Sequence, residues 1–167
     1  ESNGKLYLPK RALLLTFDDG WRDNFHYALP MLKKHEVSAV LHQISDCIDN
    51  KIYLWQEQLA IIENTDKQAY EELCTQFFSK KIAIPQFIST IEKDCEKLTE
   101  LKSLIVKKRP DADKMMLDKH QVQQMIASNF ELSSHGKTHQ KLSSLVDNEV
   151  ENELMSSAGE LSRFTKD

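Results

Sequence analysis

The spacing of apolar residues along this chain changes several times, and each change marks an element. Arg11 to Phe17 holds the continuous apolar run Leu13-Leu14-Leu15 and reads as a buried parallel strand; the polar, glycine-containing break after it opens a helix over about Trp21 to His35. Val37 to Ile44 reads as a second strand and Phe130 to Ser134 as a short third. Between them Leu54 to Ser79 is helical in pattern, with Leu54, Trp55, Leu59, Ile62, Tyr70, Leu73, Cys74 and Phe77 at three-to-four spacing. Gln86 to Lys108 repeats that pattern behind Pro85, and Val146 to Phe164 is again helix-like. Strand, helix, strand in succession predicts a parallel α/β architecture.

Composition narrows this only slightly. With 167 residues and 40% hydrophobic content the chain is long enough for one domain with a real core. The net charge of −4 and the scattered basic residues give no reason to expect nucleic acid. No apolar run approaches the ~20 residues that cross a bilayer, so a soluble chain is expected. Glu1 is not a methionine, which leaves room for a removed leader and leaves the compartment undecided. Cys47, Cys74 and Cys95 are odd in number and lack paired spacing, so they read as reduced thiols.

The candidate chemistry sits at two strand ends. Thr16-Phe17-Asp18-Asp19-Gly20 puts adjacent carboxylates where a strand stops, and side chains that alternate in direction can do different work there. Ser133-Ser134-His135-Gly136-Lys137-Thr138-His139 offers two imidazoles four residues apart, a spacing that lets both reach one ion. Taken singly these residues have ordinary readings, the aspartates as a helix cap and the histidines as surface groups on a serine-rich loop. Together they suggest a metal hydrolase.

The same residues resemble the first two motifs of the NodB-like polysaccharide deacetylases, carbohydrate esterase family 4. Trp21-Arg22-Asp23-Asn24 and Ala28 to His35 are similar to the helix after the first motif, and residues 10–48 and 117–165 align in character. A given pentapeptide arises by chance on the order of once in ten thousand chains of this length, so Thr16 to Gly20 carries most of the weight. The resemblance implies that Asp18 is the catalytic base and that Asp19, His135 and His139 hold a divalent metal. Zinc is the first choice, with cobalt, nickel, manganese or iron also suited to two imidazoles and a carboxylate. It implies hydrolysis of an N-acetyl or O-acetyl group on an oligo- or polysaccharide, with water made acidic by the metal; lowering its pKa from about 15.7 to about 7 corresponds to roughly 12 kcal/mol. It also implies a bacterial cell-envelope or secreted location.

The family's arginine-proline, aspartate-tryptophan and leucine-x-histidine segments are not found, and the chain stops near where the third motif is expected to begin. The expectation is one domain over residues 1–167 that forms the front portion of a distorted (β/α) barrel, incomplete here, with a helical insertion at about residues 50–116. Three strands cannot close a barrel, so an unpaired edge is expected unless the insertion, missing sequence or a second copy covers it, which makes a homo-oligomer an expected partner. The insertion reads equally as a cap shaping substrate access and as a packing appendage. A non-catalytic metal- and carbohydrate-binding remnant, and a structural helical module with relic motifs, are the competing readings. Trp55 reads as core rather than as a sugar platform. His26, His35, His42 and His120 read as ordinary histidines, His42 alone having a strand position from which to face the site.

Overall fold

The computed structural model describes residues 10–50, 54–111 and 114–165. The chain divides into two compact units, Glu1–Asp49 with Leu117–Asp167, and Asn50–Met116.

In the first unit, β1 (Thr16–Phe17), β2 (Ala39–Gln43) and β3 (Phe130–Ser134) form a parallel sheet in the order β1-β2-β3. The register sets Phe17 beside Leu41, and Leu41 beside Leu132. Burial along β2 alternates with the strand period: Ala39, Leu41 and Gln43 are buried, whereas Val40 and His42 are half-buried. The buried face packs with Leu29, Leu117, Val122, Met125, Phe130 and Leu161 into one core. Phe17 and Phe130 meet in that core with ring centroids 5.8 Å apart.

The expected strand over Arg11 to Phe17 is much shorter than its sequence suggested. Leu13 and Leu14 are 84% and 71% exposed. Only Leu15 begins the pairing, accepting from the Val40 N–H at 2.9 Å. A run of leucines reads as doubly buried only if strands flank it on both sides, and β1 is an edge strand of the described sheet.

The helix after β1 is interrupted in kind. Asn24–Ala28 is a π-helical turn, with the Leu29 N–H donating to Asn24 O, and α1 (Leu29–His35) continues from it. Pro30 explains the wide turn: it has no N–H to give, and its ring would collide with the carbonyl four residues back. α1 ends at Glu36 in the left-handed region, behind Lys33, Lys34 and His35, whose charges suit a helix C-terminus. α6 (Lys119–Ile126) precedes β3 and α7 (Asp147–Leu161) follows it. Where the chain leaves and re-enters this unit, the Asp49 N–H donates to Leu117 O at 3.1 Å and the Lys119 N–H to Asp49 Oδ1 at 2.9 Å.

The second unit holds α2 (Trp55–Thr65), α3 (Lys67–Phe78), α4 (Ile84–Ile91) and α5 (Cys95–Lys108). The two long helices read from the sequence are four. Asp66 and Asp94 make the breaks, each turning its carboxylate back to an N–H three residues on, Ala69 and Lys97 respectively. Trp55 is part of the core of this unit, with Leu59, Tyr70, Phe87, Leu101 and Ile105. Tyr70 gives its hydroxyl proton to Ile82 O at 2.9 Å, and burial raises its pKa. Cys47 and Cys74 are buried and Cys95 is exposed, and none is in a disulfide among the described residues.

The cap of α6 is a reciprocal box: the Gln121 N–H donates to Asp118 Oδ1 at 2.8 Å, and the Asp118 N–H to Gln121 Oε1 at 3.0 Å. Asp118→Ala is expected to lower the stability of the folded chain by about 1 kcal/mol, measured by urea denaturation.

Candidate metal centre

Parallel strands end on the same side of a sheet, so the segments that follow β1 and β3 leave it together, on either side of the end of β2. The chain turns sharply after β1. Asp19 (φ 68°) and Gly20 (φ 89°) are both left-handed, and the Gly20 N–H closes the turn on Asp18 O at 2.8 Å. Aspartate tolerates that region better than most residues; glycine is demanded at the next position, because a Cβ there would fall 2.1 Å from Gln43 Oε1. The Leu117 N–H holds the turn from behind, donating to Gly20 O at 2.9 Å.

The turn splits the two aspartates. Asp18 is exposed. Asp19 points at the histidines, with Oδ1 3.3 Å from His135 Nε2 and 3.5 Å from His139 Nε2. Its other oxygen, Oδ2, accepts the Trp21 indole N–H at 3.1 Å, which fixes the rotation of the carboxylate. One oxygen and two ring nitrogens, all within 4.8 Å of one another and all half-buried, make a set able to hold a metal ion. That donor set fits a borderline divalent cation, whose carboxylate and imidazole bonds run to about 2.0–2.2 Å. His42, on β2, sits beside the trio with its ring centroid 6.4 Å from that of His135.

The loop that carries the histidines is held by polar contacts from α7 and β2. The His135 N–H extends the ladder to Gln43 O at 2.9 Å. Gly136 (φ 80°) and His139 (φ 62°) are left-handed, and with Asp19 this puts two residues of the trio in a backbone region that L-residues rarely adopt. A closed ring of hydrogen bonds runs from the Gly136 N–H to Ser134 Oγ, from that hydroxyl to Ser157 Oγ, and from Ser157 back to Gly136 O. One turn earlier on α7, Glu153 accepts the Lys137 and Thr138 N–H groups, both at 2.9 Å, and the Thr138 hydroxyl. From the other side the Ser45 and Asp46 N–H groups donate to Gly136 O and Lys137 O. Burial alone would raise the Glu153 carboxyl; the Thr138 hydroxyl and the two backbone N–H groups outweigh it and set its pKa below the ordinary 4.5.

Of the residues singled out from sequence, the fold assembles Asp19, His135 and His139 into one cluster and leaves Asp18 exposed beside it. His26, His35 and His120 are exposed, and the Ser144 hydroxyl serves a turn, donating to Lys141 O at 2.6 Å. Trp21, Gln43, Glu153 and Ser157 support the site and were not picked out from the sequence.

A family model described as polysaccharide deacetylase matches residues 5–167. The chain belongs to that family. Over 50 residues, 30% of its length, it is 40% identical to the Bacillus subtilis (strain 168) protein named "Putative polysaccharide deacetylase YxkH", of which the matched stretch is 18%. Among solved structures it is similar to "Streptococcus pyogenes deacetylase PplD in complex with acetate", with a TM-score of 0.53 and 16% identity over 98% of this chain and 45% of that one. At that identity the likeness shows the fold: a deacetylase-like α/β arrangement with a small parallel sheet and many helices. The chain spans less than half the length of the deacetylases it matches.

Glu153 lies 4% exposed and is not a member of the trio, yet it accepts from two of the three residues between the histidines. Glu153→Gln is expected to weaken metal binding by about 10- to 100-fold, measured by chelator competition. Because its folded pKa is lowered, this carboxylate stabilises the fold fully above pH 4.5 and loses that contribution as pH falls through the lower folded value. Acid titration of the metal-free protein followed by circular dichroism should show that loss in wild type and a shallower one in Glu153→Gln.

Proposed function

We propose that this chain carries the metal-binding part of a hydrolase that removes acetyl groups from N-acetylated sugars of a polysaccharide. The observation that supports it most is the convergence of Asp19, His135 and His139, from two strands that are not neighbours in the sheet, on ligand atoms within 4.8 Å of one another. Family membership gives the reaction class, and acetate, present in the Streptococcus pyogenes neighbour, is the product such a reaction releases.

Asp19, His135 and His139 would hold the cation, zinc by first preference, with cobalt, nickel, manganese and iron also suited to the set. Three protein ligands leave coordination positions free, as a catalytic site requires. A divalent cation held there supplies Lewis acidity to an acetyl carbonyl and brings the pKa of water toward about 7. Asp18 accepts the proton of the attacking water as general base, from the exposed side of the turn that aims Asp19 inward. Trp21 keeps Asp19 Oδ2 occupied, so that Oδ1 is the oxygen presented to the histidine side. Hydrolysis breaks the acetyl C–N bond, adds hydroxide to the carbonyl carbon, and delivers the proton to the departing amine.

The three-stranded sheet is taken as the first part of a distorted (β/α) barrel whose remaining strands would flank β1 and β3. The Asn50–Met116 unit is then an insertion between the second and third strands. A second copy of the chain is the alternative cover for the sheet edges. The cell envelope or the extracellular space is the location that fits a polysaccharide substrate. Among the described residues no helix is long and apolar enough to cross a membrane.

Elemental analysis paired with acetate release from N-acetylglucosamine oligomers tests this reading. Wild type is expected to carry about one equivalent of divalent metal, lost in His135→Ala. Asp18→Asn should keep the metal and lose about 10²- to 10⁴-fold in acetate release, the usual worth of a general base. Metal without acetate release would identify a binding remnant, and a metal-free wild type would remove the site assignment.

A further inference from the structure

Gln43 closes β2, the central strand, and its side chain is 0% exposed. A glutamine so deeply buried normally finds partners for both ends of its carboxamide. Here the Nε2 end does, donating to Ile44 O at 2.8 Å and to Asp19 O at 3.3 Å. Among the described residues Oε1 has no hydrogen-bond partner, and it lies against the Gly20 α-carbon, where a Cβ would come within 2.1 Å of it. The two carbonyl acceptors fix which end is nitrogen, since the reversed amide would set oxygen against oxygen. An apolar side chain of the same size would avoid the unpaired acceptor, so the amide is poorly explained by packing alone.

What it does reach is informative. The backbone carbonyl of the same residue accepts the His135 N–H at 2.9 Å, and the Ile44 N–H joins Nε2 on Asp19 O at 3.4 Å. Gln43 therefore touches the turn that carries one ligand with its side chain and the strand end that carries another with its backbone. The carboxamide lying over Gly20 also blocks the turn from relaxing toward it.

We propose that Gln43 is a positioning residue that sets the Asp19 carboxylate at its distance from His135 and His139, by pinning the left-handed Asp19-Gly20 turn to the end of β2. The proposal rests on the reading of that trio as a metal centre and adds to it a fourth, non-coordinating member. Gln43 itself holds no ion; its effect passes through the backbone of Asp19.

The test measures zinc affinity of the full chain by competition with a chromophoric chelator, alongside melting of the metal-free protein, in wild type, Gln43→Leu, Gln43→Met, Leu41→Ala and His139→Ala. Both Gln43 variants keep the volume and remove the donor; they are expected to bind zinc about 10- to 100-fold more weakly while melting at or above the wild-type temperature. Leu41→Ala, on the same buried face of β2, is expected to melt lower and bind zinc as wild type does. The visible absorption of the cobalt form should shift in the Gln43 variants and not in Leu41→Ala. Folded Gln43→Leu and Gln43→Met proteins with wild-type zinc affinity would overturn the proposal, as would an equal loss in Leu41→Ala. If wild type bound no zinc, or His139→Ala bound it as tightly, the metal reading itself would fall, and the positioning role with it.

Discussion

Parallel pairing on both sides of β2 is the constraint from which the site follows. Hydrogen bonds along β1-β2 and β2-β3 fix the register of three strands whose ends all face one way, and residues remote in sequence leave the sheet side by side. A parallel sheet needs covered faces, and the core of Leu29, Leu41, Leu117, Val122, Met125 and Phe130 covers one of them. Lose that packing and the segments that carry Asp19, His135 and His139 have no common frame. The left-handed turn and the polar contacts around the histidines only refine positions that the strand register has already brought close.

Refinement has its own physics. A loop that presents ligands cannot also be regular, and its backbone N–H and C=O groups still need partners. Around His135 and His139 these partners are side chains and neighbouring backbone: Glu153 takes two N–H groups, Ser157 and Ser134 complete a ring with Gly136, and the backbone N–H groups of Ser45 and Asp46 cover two carbonyls. α7 thus serves the sheet with Leu161 and the site with Glu153 and Ser157. Its charged and apolar positions belong to different tasks on one helix.

Much of this was legible in the sequence, and the boundary has a physical cause. Thr16 to Gly20 and the His135–His139 pair pointed to the trio because ligand type and spacing are local properties. The second and third strands were found within two residues by period alone. Asp66 and Asp94 were overlooked as helix breaks because the apolar spacing runs on through them, although an aspartate three residues ahead of a capped N–H is a readable sign; Asp118 and Gln121 carry the same sign for α6, a helix the sequence reading passed over. Leu13 and Leu14 misled because a sequence shows how apolar a strand is but not whether a neighbour covers it. Gln43 and Glu153 left no local trace at all. Each acts through a contact that exists only once β2, α7 and the two loops have come together.

The left-handed backbone at Asp19, Gly136 and His139 bears on how such a centre can be copied. Placing one aspartate and two histidines at matching positions of another parallel sheet would transfer the ligands but not the φ angles that aim them. A host loop would settle into the right-handed or extended regions, and the three side chains would spread apart. The transferable unit is therefore larger than its ligands: the turn with its obligatory glycine, the strand-end amide laid across it, and a helix that brings a carboxylate to the loop's free N–H groups. Recipes that specify only the three side chains leave out the frame that aims them.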